Sequence, residues 1–117
     1  TDLDLEFPKL SRGAVSYVIG TTLTQADVTA NVLTVGEASY YVISATAAAT
    51  VNSISAANYR TGQRLTFRTT TANMTFANTA QIKLAGAVAF TGPGTIEFQM
   101  EQSGSTTFAY ETGRTVF

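Results

Sequence analysis

The sequence predicts an all-β fold: an antiparallel β-sandwich or jelly-roll-like barrel with an extended N-terminal arm. Three observations lead there. Apolar and polar residues alternate in short runs, as in Arg64-Leu65-Thr66-Phe67-Arg68, which is how a strand buries every second side chain. Turn residues such as Gly36, Asn73, Gly86 and Gly104 punctuate these runs at short intervals, as in sandwiches and barrels. No stretch keeps a 3.6-residue apolar period, and the one helical candidate is a turn around Ala56 to Tyr59. The chain has 117 residues, a length that suits one domain. We place an arm or edge strand at 1–13 and a single β-sandwich domain at 14–117.

The elements follow in chain order. Leu3, Leu5 and Phe7 alternate with Asp2, Asp4 and Glu6 until Pro8 ends the run. That pattern is either an edge strand with one wet face or an extended arm that docks on a neighbour. Ala14 to Ile19 is apolar and β-branched, and Gly20 closes it. Strands are expected over Val28 to Val35, over Ser39 to Ser44 and, more briefly, over Thr50 to Ile54. Ala45 to Thr50, small and weakly patterned, reads as a connection or an edge. Arg64 to Arg68, Met74 with Phe76, Ile82 with Leu84, and Val88 with Phe90 continue the series. Gly92-Pro93-Gly94 reads as a hairpin turn, followed by strands around Ile96-Phe98-Met100 and Phe108-Tyr110. The expected core is Leu65, Phe67, Met74, Phe76, Ile82, Leu84, Ile96, Phe98, Met100, Phe108 and Tyr110. No internal repeat suggests a solenoid.

Composition narrows function. There is no cysteine, histidine or tryptophan, the net charge is -1, and only 13% of residues are charged, about half the usual quarter. Disulfides, thiolate metal sites and histidine-dependent nucleophiles are excluded, and no cofactor motif is present. Near-neutral charge argues against an electrostatic nucleic-acid binder, and no apolar run is long enough for a membrane helix.

Few groups remain that carry chemistry. Glu97, Glu101 and Glu111 lie on the last strands. Glu97 and Glu101 sit about 13 Å apart along one strand, too far for a glycosidase pair, so surface charges facing Arg64 and Arg68 are the simpler reading. Arg60, Arg64 and Arg68 form the basic cluster, with ion pairing favoured over an anion site. Tyr40, Tyr41 and Tyr59 are candidates for partner or glycan contact. Tyr40 and Tyr41 point to opposite faces, so at least one is exposed or covered by another chain.

From Asn31 onward the strand layout resembles a β-rich module of bacteriophage tail spikes, fibres and preneck appendages. It runs through Asn31-Val32-Leu33-Thr34-Val35, Tyr40-Tyr41-Val42-Ile43, Gly62-Gln63-Arg64-Leu65-Thr66-Phe67-Arg68, Ile82-Lys83-Leu84-Ala85-Gly86 and Thr95-Ile96-Glu97-Phe98 to Phe108-Ala109-Tyr110-Glu111. The tryptophan usual in that module is absent, as is the histidine often found near the Tyr41 position. The resemblance implies a non-enzymatic virion protein: a homotrimer that contacts other capsid or tail proteins, for example a capsid decoration protein or small fibre module. Beginning at Thr1, the chain is expected to be nearly stand-alone, with Leu3, Leu5 and Phe7 on the docking arm. The alternative is a carbohydrate-binding receptor-recognition module that contacts host surface glycan. A hydrolase built from the three glutamates is a third, weaker reading. Neither nucleic acid nor membrane is expected as a partner.

Overall fold

The structure, a computed structural model, describes residues 19–56 and 59–117. The proposed arm, with Leu3, Leu5 and Phe7, lies outside the described residues. Among those described the chain is all-β, with eleven strands and one 3-10 turn at Gln25–Asp27. The strands are β1 Val28–Thr29, β2 Val32–Val35, β3 Tyr40–Ile43, β4 Ala49–Val51, β5 Ser53–Ala56 and β6 Arg64–Thr69. They continue as β7 Met74–Phe76, β8 Ile82–Lys83, β9 Val88–Ala89, β10 Gly94–Ser103 and β11 Thr106–Val116. A five-stranded sheet has the order β3-β6-β10-β11-β8, and two three-stranded sheets have the orders β9-β7-β4 and β1-β2-β5.

The pairings reveal a winding that alternation along the chain did not suggest. β2 pairs with β5, β3 with β6 and β4 with β7, all in parallel. Each strand therefore lies beside one a full circuit further on. Tyr40 sits opposite Thr66, Ala49 opposite Met74 and Val32 opposite Ser53. The chain visits the three sheets in turn and then repeats the visit, so they form the walls of a coil. Ile19 and Leu23 begin an earlier circuit by bridging in parallel to Tyr40 and Ile43. Parallel neighbours need long connections, and a circuit of the coil supplies them. The sequence reading found no solenoid because the circuits differ in length, 20 residues from Leu23 to Ile43 and 26 from Tyr40 to Thr66.

Stacking fills the interior. Tyr41 lies over Phe67, Leu33 beside Ile54 and Val51 beside Phe76. The phenyl rings of Phe67, Phe76 and Phe98 meet with centroids 5.8–6.2 Å apart, and Phe90 closes on Phe76 edge-on at 6.2 Å. Burying each such side chain contributes about 1.5–3 kcal/mol. Side chains staple the corners between circuits. Thr71 Oγ1 and Asn73 Nδ2 both donate to the Ala45 carbonyl, at 2.7 and 3.0 Å, and Thr79 Oγ1 donates to the Asn52 carbonyl at 2.7 Å.

The β10–β11 hairpin ends the coil. β10 pairs antiparallel with β6 and with β11, so direction reverses on the last wall. A two-residue turn joins the pair, with Gly104 at φ 62° in its first position, a conformation that favours glycine. Met100 lies opposite Ala109, so Ala109, not Phe108 or Tyr110, faces the core. This reverses the expected phase: Phe108 is half-buried and Tyr110 is exposed. Leu84 is likewise only partly buried. Gly92-Pro93-Gly94 joins two sheets rather than turning a hairpin, since β9 pairs with β7 and β10 with β6. Gly94 is pressed against its surroundings: an added Cβ would lie 2.6 Å from the Phe90 ring and 2.8 Å from the Thr115 carbonyl. The expected strand over Val28 to Val35 is instead a tight hairpin. Ala30 and Asn31 take φ 53° and 65° between β1 and β2.

Candidate interaction face

The three tyrosines singled out from sequence part company. Tyr41 and Tyr59 are buried. Both hold the loop before β3: the Ala38 N–H donates to the Tyr41 hydroxyl at 3.2 Å, and the Tyr59 hydroxyl donates to the Ala38 carbonyl. Burial, reinforced by the neighbouring Tyr41 hydroxyl, holds the Tyr59 phenol well above its ordinary range. The two rings are structural, and Tyr59 offers no free face to a glycan. Tyr40 is half-buried on the outer side of β3.

That outer side belongs to the five-stranded sheet, whose residues alternate cleanly. β6 turns Leu65, Phe67 and Thr69 inward and Arg64, Thr66 and Arg68 outward. β10 turns Ile96, Phe98 and Met100 inward and Thr95, Glu97, Gln99 and Glu101 outward. Tyr110 stands outside opposite Gln99. Thr112 is the extra residue of a bulge where the register steps between Glu97 and Phe98, and its hydroxyl donates to Glu97 Oε1 at 2.9 Å.

The charges on this face pair much as the sequence suggested. Arg64 Nη1 reaches Glu97 Oε1 at 3.2 Å. Glu101 Oε1 accepts from the Tyr110 hydroxyl at 2.8 Å, which raises the tyrosine's pKa. Arg68 has no acidic partner among the described residues.

Glu111 behaves differently. It lies opposite Phe98, on the inward side of β11, and its side chain is only 7% exposed. Arg114 grips it twice, Nε to Oε2 at 2.6 Å and Nη2 to Oε1 at 2.8 Å. The Ala85 N–H also donates to Oε1, at 2.9 Å, while Arg114 Nη2 reaches the Gly86 carbonyl at 2.6 Å. These donors, Arg114 foremost, hold the carboxyl below the usual carboxylate range against the opposing effect of burial. Sequence reading listed Glu111 but missed Arg114, because residues three apart in a regular strand point to opposite faces and only the bulge at Thr112 turns both inward. The cluster latches β11 to the loop after β8. The three glutamates are therefore split between two sides of the sheet and converge on no common point.

A shallow groove of about 690 Å³ lies beside the first circuit, lined by Leu23, Val35, Tyr41, Asp27 and Glu37 among others. Its rim is shaped by the Gln25–Asp27 turn, which carries a capping box. Thr24 Oγ1 accepts from the Ala26 N–H, and Asp27 Oδ2 accepts from the Thr24 N–H at 2.8 Å. The Thr24-Gln25-Ala26-Asp27 pattern was legible as a helix start but passed unread. Among the described residues no three acidic, histidine or cysteine side chains cluster as a metal site, and no helix is long and apolar enough to cross a membrane.

No family model matches the chain, nor does any curated protein or solved structure.

Proposed function

We propose that this chain is a non-enzymatic structural component of a bacteriophage virion. In this reading it is an oligomer, trimeric by the resemblance in strand layout, that decorates a capsid or forms a small fibre or tail-spike module. The observation that carries the reading is the way the coil is clad. Outside its aromatic interior, stacked positions of neighbouring circuits carry short neutral groups: Thr34 beside Ser55, and Thr50 beside Thr75, which in turn pairs with Ala89. Such ladders leave the walls of the two three-stranded sheets with few charges to desolvate, suited to lying against a protein shell, and leave the charged five-stranded face to contact between copies. Glu111, locked to Arg114 and held ionised, is poorly disposed to act as a general acid.

Mass spectrometry of purified phage particles tests the proposal. The chain is expected among the virion proteins, in a fixed ratio to the capsid or tail subunits. Its presence in the host lysate but absence from particles would overturn it.

A second reading, a receptor-recognition module for host surface glycan, draws on the exposed Tyr110, the half-buried Tyr40 and the groove that carries Asp27 and Glu37. Its test is a glycan array with wild type and the Tyr40→Ala and Tyr110→Ala variants. Binding that both variants lose would favour it, and an array without hits would remove it.

A further inference from the structure

We infer that copies of this chain associate through the outer face of the five-stranded sheet, about a rotation axis running along its strands, with the basic strand of one copy against the acidic strand of the next. The inference rests on the self-assembling reading above and names its surface.

Charge on this face is sorted by strand. β6 presents Arg64 and Arg68 outward and no acid, while its neighbour β10 presents Glu97 and Glu101 and no base. Rotation about an axis along the strands, between β6 and β10, lays the β6 half of one face on the β10 half of the next. Tyr40 on one flank then lies one outward position from Tyr110 on the other, the same step and direction that separate each arginine from its acid. An axis across the strands would set arginine on arginine, so the sorting selects one geometry.

The register supports the match. Arg68 lies opposite Thr95, one outward position short of Glu97, and Arg64 lies opposite Gln99, one short of Glu101. Both arginines are thus displaced from an acid by the same step, about 7 Å along the strand, and in the same direction. One lean of both side chains makes both contacts.

The groups are also available. Every hydrogen bond to Glu97 and Glu101 falls on Oε1 or the backbone, leaving Oε2 without a partner among the described residues. The Arg64–Glu97 pair has side chains 63% and 39% exposed, and such pairs are weak enough to be exchanged. Tyr110 and the arginines are residue types that anchor interfaces.

Sedimentation equilibrium on the full chain tests the inference, with far-ultraviolet circular dichroism to check folding. Wild type is expected to assemble. Arg64→Glu with Arg68→Glu should weaken association at least about tenfold. Adding Glu97→Arg and Glu101→Arg to that variant should restore it, because the swapped chain keeps both kinds of contact. Tyr110→Ser, which changes no charge, should weaken it too and stands in if the charge variants fail to fold. If wild type assembles but the double variant does so equally well, or the fourfold swap gives no rescue, this face is wrong while the assembly reading stands. Assembly of Tyr110→Ser at wild-type strength would likewise overturn the face. A monomeric wild type would overturn both.

Discussion

The coil from Leu23 to Lys83 and the β10–β11 hairpin are built on opposite plans. In the coil, apart from the local β1–β2 hairpin, strands pair in parallel with partners a circuit apart in sequence, and buried side chains stack on one another, as with Tyr41 on Phe67. In the hairpin, partners are local, antiparallel and in register over almost the whole length. The coil carries most of the aromatic interior, and the hairpin lends it Ile96, Phe98 and Met100. The hairpin is held down by its pairing with β6, by Gly94 wedged against Phe90, and by the Glu111–Arg114 latch to the loop after β8. The coil therefore acts as the frame, and the hairpin closes its end and carries the acidic half of the candidate interface.

The largest effect should come from breaking the frame. Phe67 is fully buried and touches Tyr41, Phe76 and Phe98. Phe67→Ala is expected to cost about 3–5 kcal/mol, read as a lowered denaturant midpoint, and to melt coil and hairpin together. Separate transitions would break the view of one shared core.

Next comes the hairpin's root. Gly94→Ala puts a methyl group against a backbone carbonyl that cannot swing away, so about 1–3 kcal/mol should be lost. Hydrogen exchange should quicken first in β10 and β11. Unchanged stability would mean that the Phe90 contact is looser than described.

The latch comes third and carries a pH signature. The Glu111 carboxyl is held below its ordinary value of 4.5. Its contribution is therefore present above that value and is lost as pH falls through the depressed one. Glu111→Gln should cost about 1–3 kcal/mol at neutral pH and flatten the acid limb of a stability–pH curve. An acid limb identical to wild type would assign acid sensitivity elsewhere.

The smallest change is a gain. Ala30 holds a positive φ that alanine adopts at a cost, whereas asparagine tolerates it. Ala30→Asn should raise stability by about 0.5 kcal/mol or slightly more and leave the hairpin at the other end unaffected.

The same contrast explains what could be read from the sequence. Strands such as Arg64–Thr69 and Gly94–Ser103 were visible because one face is dry and one wet, which imposes period two. Pairing direction in the coil was not visible, because alternation looks the same whether the neighbour runs parallel or antiparallel. Unequal circuits also erased any repeat. Tyr110 was assigned to the core because it is aromatic and alternates with Ala109, and only the register with Met100 decides which of the two faces inward. The Arg64–Glu97 pair was foreseeable from strand charge, whereas the burial of Tyr59 depends on a backbone carbonyl, that of Ala38, far away in sequence.

The proposed self-assembly is open to a direct reading by native mass spectrometry of the wild-type protein over a dilution series. A species of three chains that persists on dilution is expected, and a single chain at every concentration would refute the proposal.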